Sequence, residues 1–206
     1  MDIKAMQKLS YGLFVLTAKD GDKDNGCIIN TGIQVTSDPN RICFAVNKAN
    51  YTHDIIFRTH KLTLSVISED ADFELFKRFG FASGLDVDKF AGFNDWKVGY
   101  NGIKYITKGT NAFISAWVEQ AIDLGSHTLF IAAVTDMEVL SNVPSATYAF
   151  YHANIKPKPE NNNATNGTNA YRCTICGHIY EGESLPEDYI CPLCKHPASD
   201  FEKIND

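Results

Sequence analysis

Four of the six cysteines in this 206-residue chain form two pairs near its C-terminal end. Cys173 and Cys176 make one pair and Cys191 and Cys194 the other, with residues 177–190 between them. Each pair can place two sulfurs on one ion, and two such turns close a tetrahedral four-thiolate site. Zinc and iron both accept this geometry. The spacing therefore predicts a metal site but leaves the metal open.

The segment that carries these cysteines, residues 171–206, is too short to depend on a hydrophobic core. Below about 40 residues a chain usually needs a metal, disulfides or a partner in order to fold. We therefore expect the metal to supply much of the folding free energy of this segment. Outside the pairs, Cys27 and Cys43 are expected to be buried small apolar side chains rather than reactive thiols.

Composition and charge narrow the class of protein. Hydrophobic residues make up 44% of the chain and charged residues 21%, which is typical of a globular protein. A net charge of −6 argues against a nucleic-acid or membrane-surface role. No apolar run approaches about 18 residues, and the first residues lack the basic-then-apolar order of a signal peptide. These features predict a cytoplasmic protein, where reduced cysteine pairs serve as metal ligands.

A change in composition marks a linker. Residues 156–170 (KPKPENNNATNGTNA) supply prolines, asparagines and glycine but no large apolar side chain. Such a segment is flexible, with a root-mean-square span of about 20 Å. The predicted organisation is therefore a domain at 1–155, a linker at 156–170 and a small domain at 171–206.

The residues around the cysteines resemble the rubredoxin family, especially the shortened domain at the end of rubrerythrins. The matching positions are Tyr171, CxxCG at 173–177, Tyr180, CPxC at 191–194, Phe201 and Glu202. This resemblance implies one iron ion in the four-thiolate site, with a structural zinc ribbon as the alternative. Tyr171, Tyr180 and Phe201 can form an apolar shell that limits the access of water.

Two details accompany the resemblance to rubredoxins. Lys195 stands where that family usually has a glycine after the fourth cysteine, which places the hydrogen bonding of the second turn in doubt. His178 and His196 lie near the ligands. Because four thiolates already complete a tetrahedral site, both histidines are predicted to be surface residues.

Before the linker, apolar runs separated by turn-rich segments predict an antiparallel β structure. Strands outnumber helices and few connections have the length of a βαβ crossover, so a barrel is favoured over a doubly wound sheet. A first helix is expected to begin at Thr52 as its N-cap, and a second to end at Gly80. The predicted strands are 11–19, 27–35, 41–47, 61–68, 111–123 and 127–140.

Residues 1–155 resemble the flavin-reductase-like split-barrel family, whose members bind FMN, in some cases FAD, and act as dimers. The resemblance rests on residues 26–56, 79–90, 125–134 and 147–152. It implies a mainly β protein: an FMN-binding split β-barrel, followed by the small rubredoxin-like metal ribbon, in a homodimer. It also implies flavin-ring contacts at Asn25, Gly26, Cys27, Ile29, Asn30 and Thr31, and a phosphate site at Asn47, Lys48, Thr52 and His53.

The phosphate assignment agrees with the chemistry of the residues. Lys48 supplies a positive charge, and the hydroxyl of Thr52 and the first amides of a helix supply hydrogen-bond donors. The alternative is a solvated lysine beside a simple helix cap. The family also places a histidine, preceded by an acidic residue, near the flavin face. Here His127 is that candidate catalytic position, but Ser126 replaces the acid, so we assign no acid or base role to His127.

The two modules together resemble the high-molecular-weight rubredoxins of anaerobes. A flavin accepts a two-electron hydride, whereas a rubredoxin iron accepts one electron at a time. The resemblance implies an electron path from NAD(P)H through FMN and iron to an acceptor such as a flavodiiron oxygen or nitric-oxide reductase. Two alternatives remain: a flavin reductase that releases reduced FMN and carries a structural zinc ribbon, and a non-enzymatic electron shuttle reduced by another protein.

Overall fold

The computed structural model describes residues 5, 8–157, 169–174, 178–191 and 197–204. Before the linker, its strands are β1 (Phe14–Asp20), β2 (Lys23–Ile29), β3 (Ile33–Ser37), β4 (Asn40–Asn47), β5 (Lys61–Ile67), β6 (Trp96–Val98), β7 (Lys104–Ile106), β8 (Thr110–Asp123) and β9 (His127–Val139). Seven of them form one antiparallel sheet in the order β2-β1-β5-β8-β9-β4-β3, and β6 and β7 pair separately. The predicted mainly β class is confirmed.

The helical segments are short. Helix α1 (Tyr51–Thr59) connects β4 to β5 and ends at His60, whose φ of 60° allows its N–H to donate to the carbonyl of Ile56. Helix α2 (Phe73–Phe76) continues into a π-helical turn, Lys77–Phe81. Helix α3 (Tyr148–Phe150) likewise continues into a second π-helical turn, Tyr151–Ile155. Among the described residues, no helix is long and apolar enough to span a bilayer.

The sheet carries apolar side chains on both faces because successive residues of a strand point to opposite sides. On β1, Leu16 belongs to the core cluster that α1 covers, and Val15 belongs to the cluster under α2 and the Lys77–Phe81 turn. Phe44 and Phe130 stack in the first cluster with ring centroids 5.4 Å apart. This core fixes α1 against the strands that carry the predicted site residues.

Beyond the linker, a small antiparallel sheet surrounds the described cysteines. Its strands are β10 (Asn169–Cys173), β11 (Ile179–Gly182) and β12 (Phe201–Lys203), in the order β11-β10-β12, with a 3₁₀ turn at Ala198–Asp200 before β12. The register places Tyr171 opposite Tyr180 and Cys173 opposite Phe201. Three short strands bring the aromatic residues to the metal-ligand positions.

Several sequence-based boundaries were wrong. The predicted loop after residue 19 is a tight hairpin, in which Asp20 pairs with Lys23 across Gly21 at a positive φ of 56°. The predicted strand 27–35 is divided between β2 and β3, and the β6–β7 pair was not predicted. The N-cap of α1 is Asn50 instead of Thr52, which lies inside the first turn with its hydroxyl facing β2.

Two side chains of β9, one buried and one exposed, give a stability prediction. Phe130 is fully buried, so Phe130→Ala should lower the free energy of unfolding by about 3–5 kcal/mol through lost contacts and a cavity. Val139 is 72% exposed on the same strand, and Val139→Ala should change that free energy by no more than about 0.5 kcal/mol. Urea unfolding followed by circular dichroism measures both values. Equal destabilisation by the two substitutions would contradict the assigned core.

Candidate functional site

Three of the predicted site residues form a buried cluster between β2 and α1. Asn25, 2% exposed, donates from Nδ2 to Oγ1 of Thr52 at 3.2 Å. The thiol of Cys27 also forms a hydrogen bond with Thr52. Burial raises the pKa of Cys27, although this hydrogen bond and the charge of Lys89 oppose the shift. Cys27 is therefore a buried, protonated thiol, as the sequence predicted.

Residues 79–90 cover this cluster, and none of them was predicted as a site residue from the sequence. Lys89 is 5% exposed, and its Nζ donates to the carbonyls of Gly26 at 2.8 Å and Phe79 at 3.1 Å. Burial lowers the pKa of Lys89. Gly84 lies so close to Asn25 that an added Cβ would be 2.2 Å from Oδ1 of the amide. Lys89 and Gly84 therefore position the β2 residues predicted to meet the flavin.

A second group of predicted residues meets at one end of the sheet, where β4 pairs with β9. Asn47 lies opposite His127, and the backbone N–H of Lys48 donates to the carbonyl of Ser126 at 3.0 Å. The Ser126 hydroxyl lies 2.9 Å from Nδ1 of His127. Residues about 80 positions apart in the sequence are thus neighbours, and Ser126 contacts the imidazole where the family has an acid.

Asp123 also belongs to this end of the sheet and was not predicted as a site residue from the sequence. Its carboxylate accepts from Nζ of Lys48 at 2.6 Å and from the N–H of Gly125 at 2.7 Å. The hydrogen bond from Lys48 holds the pKa of Asp123 below its ordinary value, and the Gly125 amide adds to the shift. Because both side chains of the ion pair are exposed, the pair contributes little to the stability of the fold. Lys48 can therefore exchange Asp123 for another anion.

His53 is buried beside this group, and both of its ring nitrogens have protein partners. Nε2 lies 2.8 Å from the hydroxyl of Thr128, and Nδ1 lies 2.9 Å from the carboxylate of Asp54. The ring also stacks on Phe57, with centroids 5.9 Å apart. In this arrangement His53 holds α1 against β9.

The other predicted ring contacts lie where β2 leads into β3. Ile29 and Cys27 point into the core, so a ring at this strand would meet their backbone. Asn30 and Thr31 are half-buried. The hydroxyl of Thr31 donates to the carbonyl of Ala45 at 3.0 Å, and the N–H of Ala45 donates to that hydroxyl at 2.9 Å. These contacts fix the β2–β3 connection against β4.

The donors near the start of α1 fit a phosphate group. The N-cap Asn50 makes no side-chain cap hydrogen bond. The N–H of His53 donates to the carbonyl of Asn50 at 2.9 Å, so the first-turn amides that can face an anion are those of Tyr51 and Thr52. The side chain of Asn47 is occupied by the N–H of Ala49 at 2.9 Å. Lys48, which precedes these amides in the chain, adds the positive charge that a flavin phosphate requires. The hydroxyl of Thr52 is already used within the buried cluster.

The described cysteines of the small domain fit a thiolate metal site. Cys173 and Cys191, one from each pair, are both 0% exposed and belong to one apolar cluster with Phe81 and Phe201. The N–H of Cys173 donates to the carbonyl of His178 at 2.8 Å. Two sulfurs from different CxxC pairs meet, as a tetrahedral site requires. Cys176, Cys194, Lys195 and His196 lie outside the described residues.

Aromatic rings of the small domain pack on one another in a continuous series. Tyr171 contacts Tyr180 (6.3 Å between ring centroids), Tyr180 contacts Tyr189 (4.6 Å) and Tyr189 contacts Phe201 (5.3 Å). Of the predicted shell, Phe201 packs on Cys173 and Cys191, and the role of Tyr171 and Tyr180 stays a prediction. The prediction for His178 was wrong: it is half-buried, with Nε2 3.1 Å from the Tyr189 hydroxyl and its ring against Phe201.

Comparison with known families matches both parts of the chain. Residues 6–158 match the flavin reductase like domain, and residues 171–202 match the rubredoxin-like domain of rubrerythrin. The first match covers well over half of the chain. The fold and the two matches define the class of protein, an oxidoreductase with a flavin-reductase-like domain and a rubredoxin-like domain.

Individual relatives extend this result. A high molecular weight rubredoxin from Moorella thermoacetica is 37% identical and aligns over 99% of this chain and 100% of its own length. A ferric-chelate reductase (NAD(P)H) from Archaeoglobus fulgidus is 37% identical over 77% of this chain and 93% of its own. An FMN-binding protein from Thermus thermophilus shares the fold, with a TM-score of 0.59, 19% identity, and coverage of 73% of this chain and 79% of that one. The chain belongs to the flavin-reductase-like family and, within it, to the high molecular weight rubredoxins.

The contact between Gly84 and Asn25 generates a test of the buried cluster. In Gly84→Ala the new methyl group must displace the Asn25 amide and weaken its hydrogen bond to Thr52. We expect the dissociation constant for FMN to rise about tenfold, the equivalent of one hydrogen bond. Flavin fluorescence quenching during titration of the apoprotein measures it.

Leu85→Ala is the matched control, because Leu85 is adjacent and 67% exposed. It should leave FMN affinity within about twofold of the parent protein. Equal affinities in the Gly84 and Leu85 variants would show that the Asn25 cluster does not support the flavin site.

Proposed function

We propose that this protein oxidises NAD(P)H with an FMN held by its N-terminal domain and passes the electrons to an iron ion in its rubredoxin-like domain. The observation that carries the proposal is the burial of Cys173 and Cys191 in an aromatic cluster, within a chain that also has the flavin-reductase fold. An apolar shell around a thiolate site suits an electron carrier because it limits access of water to the ion.

The electron count explains why two centres share one chain. One NAD(P)H supplies a hydride, which carries two electrons, whereas a four-thiolate iron accepts one. Oxidation of one NAD(P)H would therefore reduce two ferric ions and release one proton. FMN supplies the chemistry that connects a two-electron donor to a one-electron acceptor.

The roles of individual residues follow from their positions. Lys48 and the first amides of α1 would bind the phosphate, and Asn47 and His53 would support that end of the site. The ring would lie along β2 from Asn25 to Thr31, braced from behind by Lys89. His127 and Ser126 would border the ring where the nicotinamide approaches.

We propose the domain limits inferred from the sequence, 1–155, 156–170 and 171–206, with β10 beginning two residues before the last of these ranges, at Asn169. The family matches support a division in this region because they leave residues 159–170 unmatched.

We further propose a cytoplasmic homodimer whose electron acceptor is a protein, with a flavodiiron reductase as the first candidate. The resemblance to the high-molecular-weight rubredoxins supports this acceptor.

Anaerobic titration of the purified protein tests the electron path. NADH or NADPH should bleach the flavin absorption first and the ferric-thiolate bands after it, and metal analysis should find iron. Zinc in place of iron, with flavin absorption alone, would contradict the proposal and favour the flavin reductase with a structural ribbon. A flavin that neither nicotinamide reduces would favour the non-enzymatic shuttle.

One relative favours a second candidate function. The ferric-chelate reductase of Archaeoglobus fulgidus aligns with 77% of this chain, the share taken up by the N-terminal domain. The flavin domain here could therefore reduce a ferric chelate directly, without the rubredoxin-like domain. A variant that lacks the metal site separates the two routes.

Cys173→Ala is that variant. Because the small domain depends on its metal, we expect it to unfold while the flavin domain remains folded. Flavin reduction by NAD(P)H should stay within about twofold, and electron delivery to a flavodiiron acceptor should fall more than about a hundredfold. Stopped-flow absorption and acceptor turnover measure the two rates.

Cys43→Ala is the matched control, since Cys43 is a half-buried cysteine on β4 outside the metal site. Cys43→Ala should retain the rate of flavin reduction by NAD(P)H and the rate of acceptor turnover. Unchanged acceptor turnover in Cys173→Ala would mean that electrons leave directly from the flavin domain.

A further inference from the structure

An aromatic side chain of the flavin domain contacts the metal domain. Phe81, at the end of the Lys77–Phe81 turn, packs against the cluster formed by Cys173 and Cys191. Phe201 packs on the same cluster from within the metal domain. The apolar surroundings of the described cysteines are therefore completed by a residue from the other domain.

The same turn contacts the predicted flavin strand through its other side. An added Cβ on Gly26 would lie 3.1 Å from the ring of Phe79, and one on Gly80 would lie 3.3 Å from Ile28, so the turn packs directly on β2. Phe79 is 1% exposed and belongs to the core, whereas Phe81 is half-buried. Side chains two residues apart on a helical turn point in nearly opposite directions.

A polar contact at the start of the linker adds a second attachment. Nζ of Lys156 donates to the backbone carbonyl of Thr174, the residue after Cys173. The N–H of Lys156 donates to the carbonyl of Tyr151, which is buried with Phe76 in the core of the flavin domain. The metal domain is thus held at the Lys77–Phe81 turn and at the point where the linker begins.

We propose that the Lys77–Phe81 turn is the docking surface for the metal domain of the same chain, with Phe81 as the positioning residue that closes over Cys173 and Cys191. This inference deepens the proposed function and rests on it. Docking at the turn, which packs directly on β2, brings the metal ligands near the strand that carries the predicted ring contacts.

The contact is small enough to be reversible. A contact made by an aromatic side chain and an exposed hydrogen bond provides little affinity between separate molecules. A linker of this length, however, raises the effective concentration of the tethered domain to the order of 1 mM. The docked form can therefore be populated and still open, which lets the iron meet its external acceptor.

Hydrogen exchange followed by mass spectrometry on the metal-loaded full chain tests the docking. In Phe81→Ala, exchange over Tyr171–Cys173 should accelerate about tenfold. These amides are hydrogen-bonded within the small sheet and exchange when the metal domain opens, and loss of docking removes the stabilisation that opposes opening. In Cys173→Ala, exchange over Lys77–Phe81 should accelerate because the opposing domain is lost. A reciprocal effect of this kind requires contact between the two segments, whereas local damage would affect only the mutated one.

Two further variants keep this test decisive. Tyr100→Ala removes an aromatic ring that is 97% exposed, and its exchange should match that of the parent protein. Phe81→Leu retains an apolar side chain and should restore most of the protection, even if Phe81→Ala perturbs the turn. Parent-like exchange over Tyr171–Cys173 in Phe81→Ala, with unaltered exchange over Lys77–Phe81 in Cys173→Ala, would overturn the proposal.

Stopped-flow absorption links docking to electron transfer. Phe81→Ala should slow iron reduction about tenfold, in line with the loss of docked population, without changing flavin reduction by NAD(P)H. The exchange experiment needs no nicotinamide, so the two proposals can fail separately. A flavin that NAD(P)H cannot reduce, with the exchange differences intact, would overturn the proposed function and leave the docking surface standing.

Discussion

The two hydrogen bonds of the Lys89 ammonium connect the parts of the flavin domain on which the rest of the site depends. They join the carbonyl of Gly26 on β2 to the carbonyl of Phe79 on the Lys77–Phe81 turn. Removing a cation from water is costly, and the lowered pKa of Lys89 reflects that cost. Backbone carbonyls that satisfy such a group are held firmly, because losing them would leave a buried charge without partners. The strand and the turn are therefore fixed relative to each other.

The parts of this arrangement that could be predicted from the sequence are those set by local spacing. The cysteine pairs predict a metal site from spacing alone, because the two cysteines of a pair are only three residues apart and can bind the same ion. Most strands were also predictable, since an apolar run between turn residues is a local pattern. The resemblance to flavin reductases then assigned the predicted flavin contacts to β2 and to the start of α1.

The parts that were not predicted depend on contacts between distant residues. Lys89 meets Gly26 across 63 positions, and Asp123 meets Lys48 across 75. A lysine among aspartates looks like a solvated charge until the fold buries it. Thr52 was misassigned as a cap for the same reason. A threonine near the start of a helical stretch often serves as an N-cap, but here its hydroxyl accepts a hydrogen bond from Asn25 on β2. His178 was expected at the surface because its ring partner Tyr189 is specified only by the fold.

The Lys77–Phe81 turn, which contacts both β2 and the metal domain, has π-helical geometry. Such turns occur often at functional sites, where they redirect side chains that a regular helix would place elsewhere. Here Arg78 braces the turn from outside by donating to the carbonyls of Lys89 at 3.0 Å and Ala91 at 3.2 Å. Because Arg78 and Lys89 hold the turn on two sides, it keeps its conformation when the metal domain leaves, although its amides lose the cover of that domain. Phe81 is then already in position each time the tethered domain returns, and docking does not have to supply the free energy of ordering the surface.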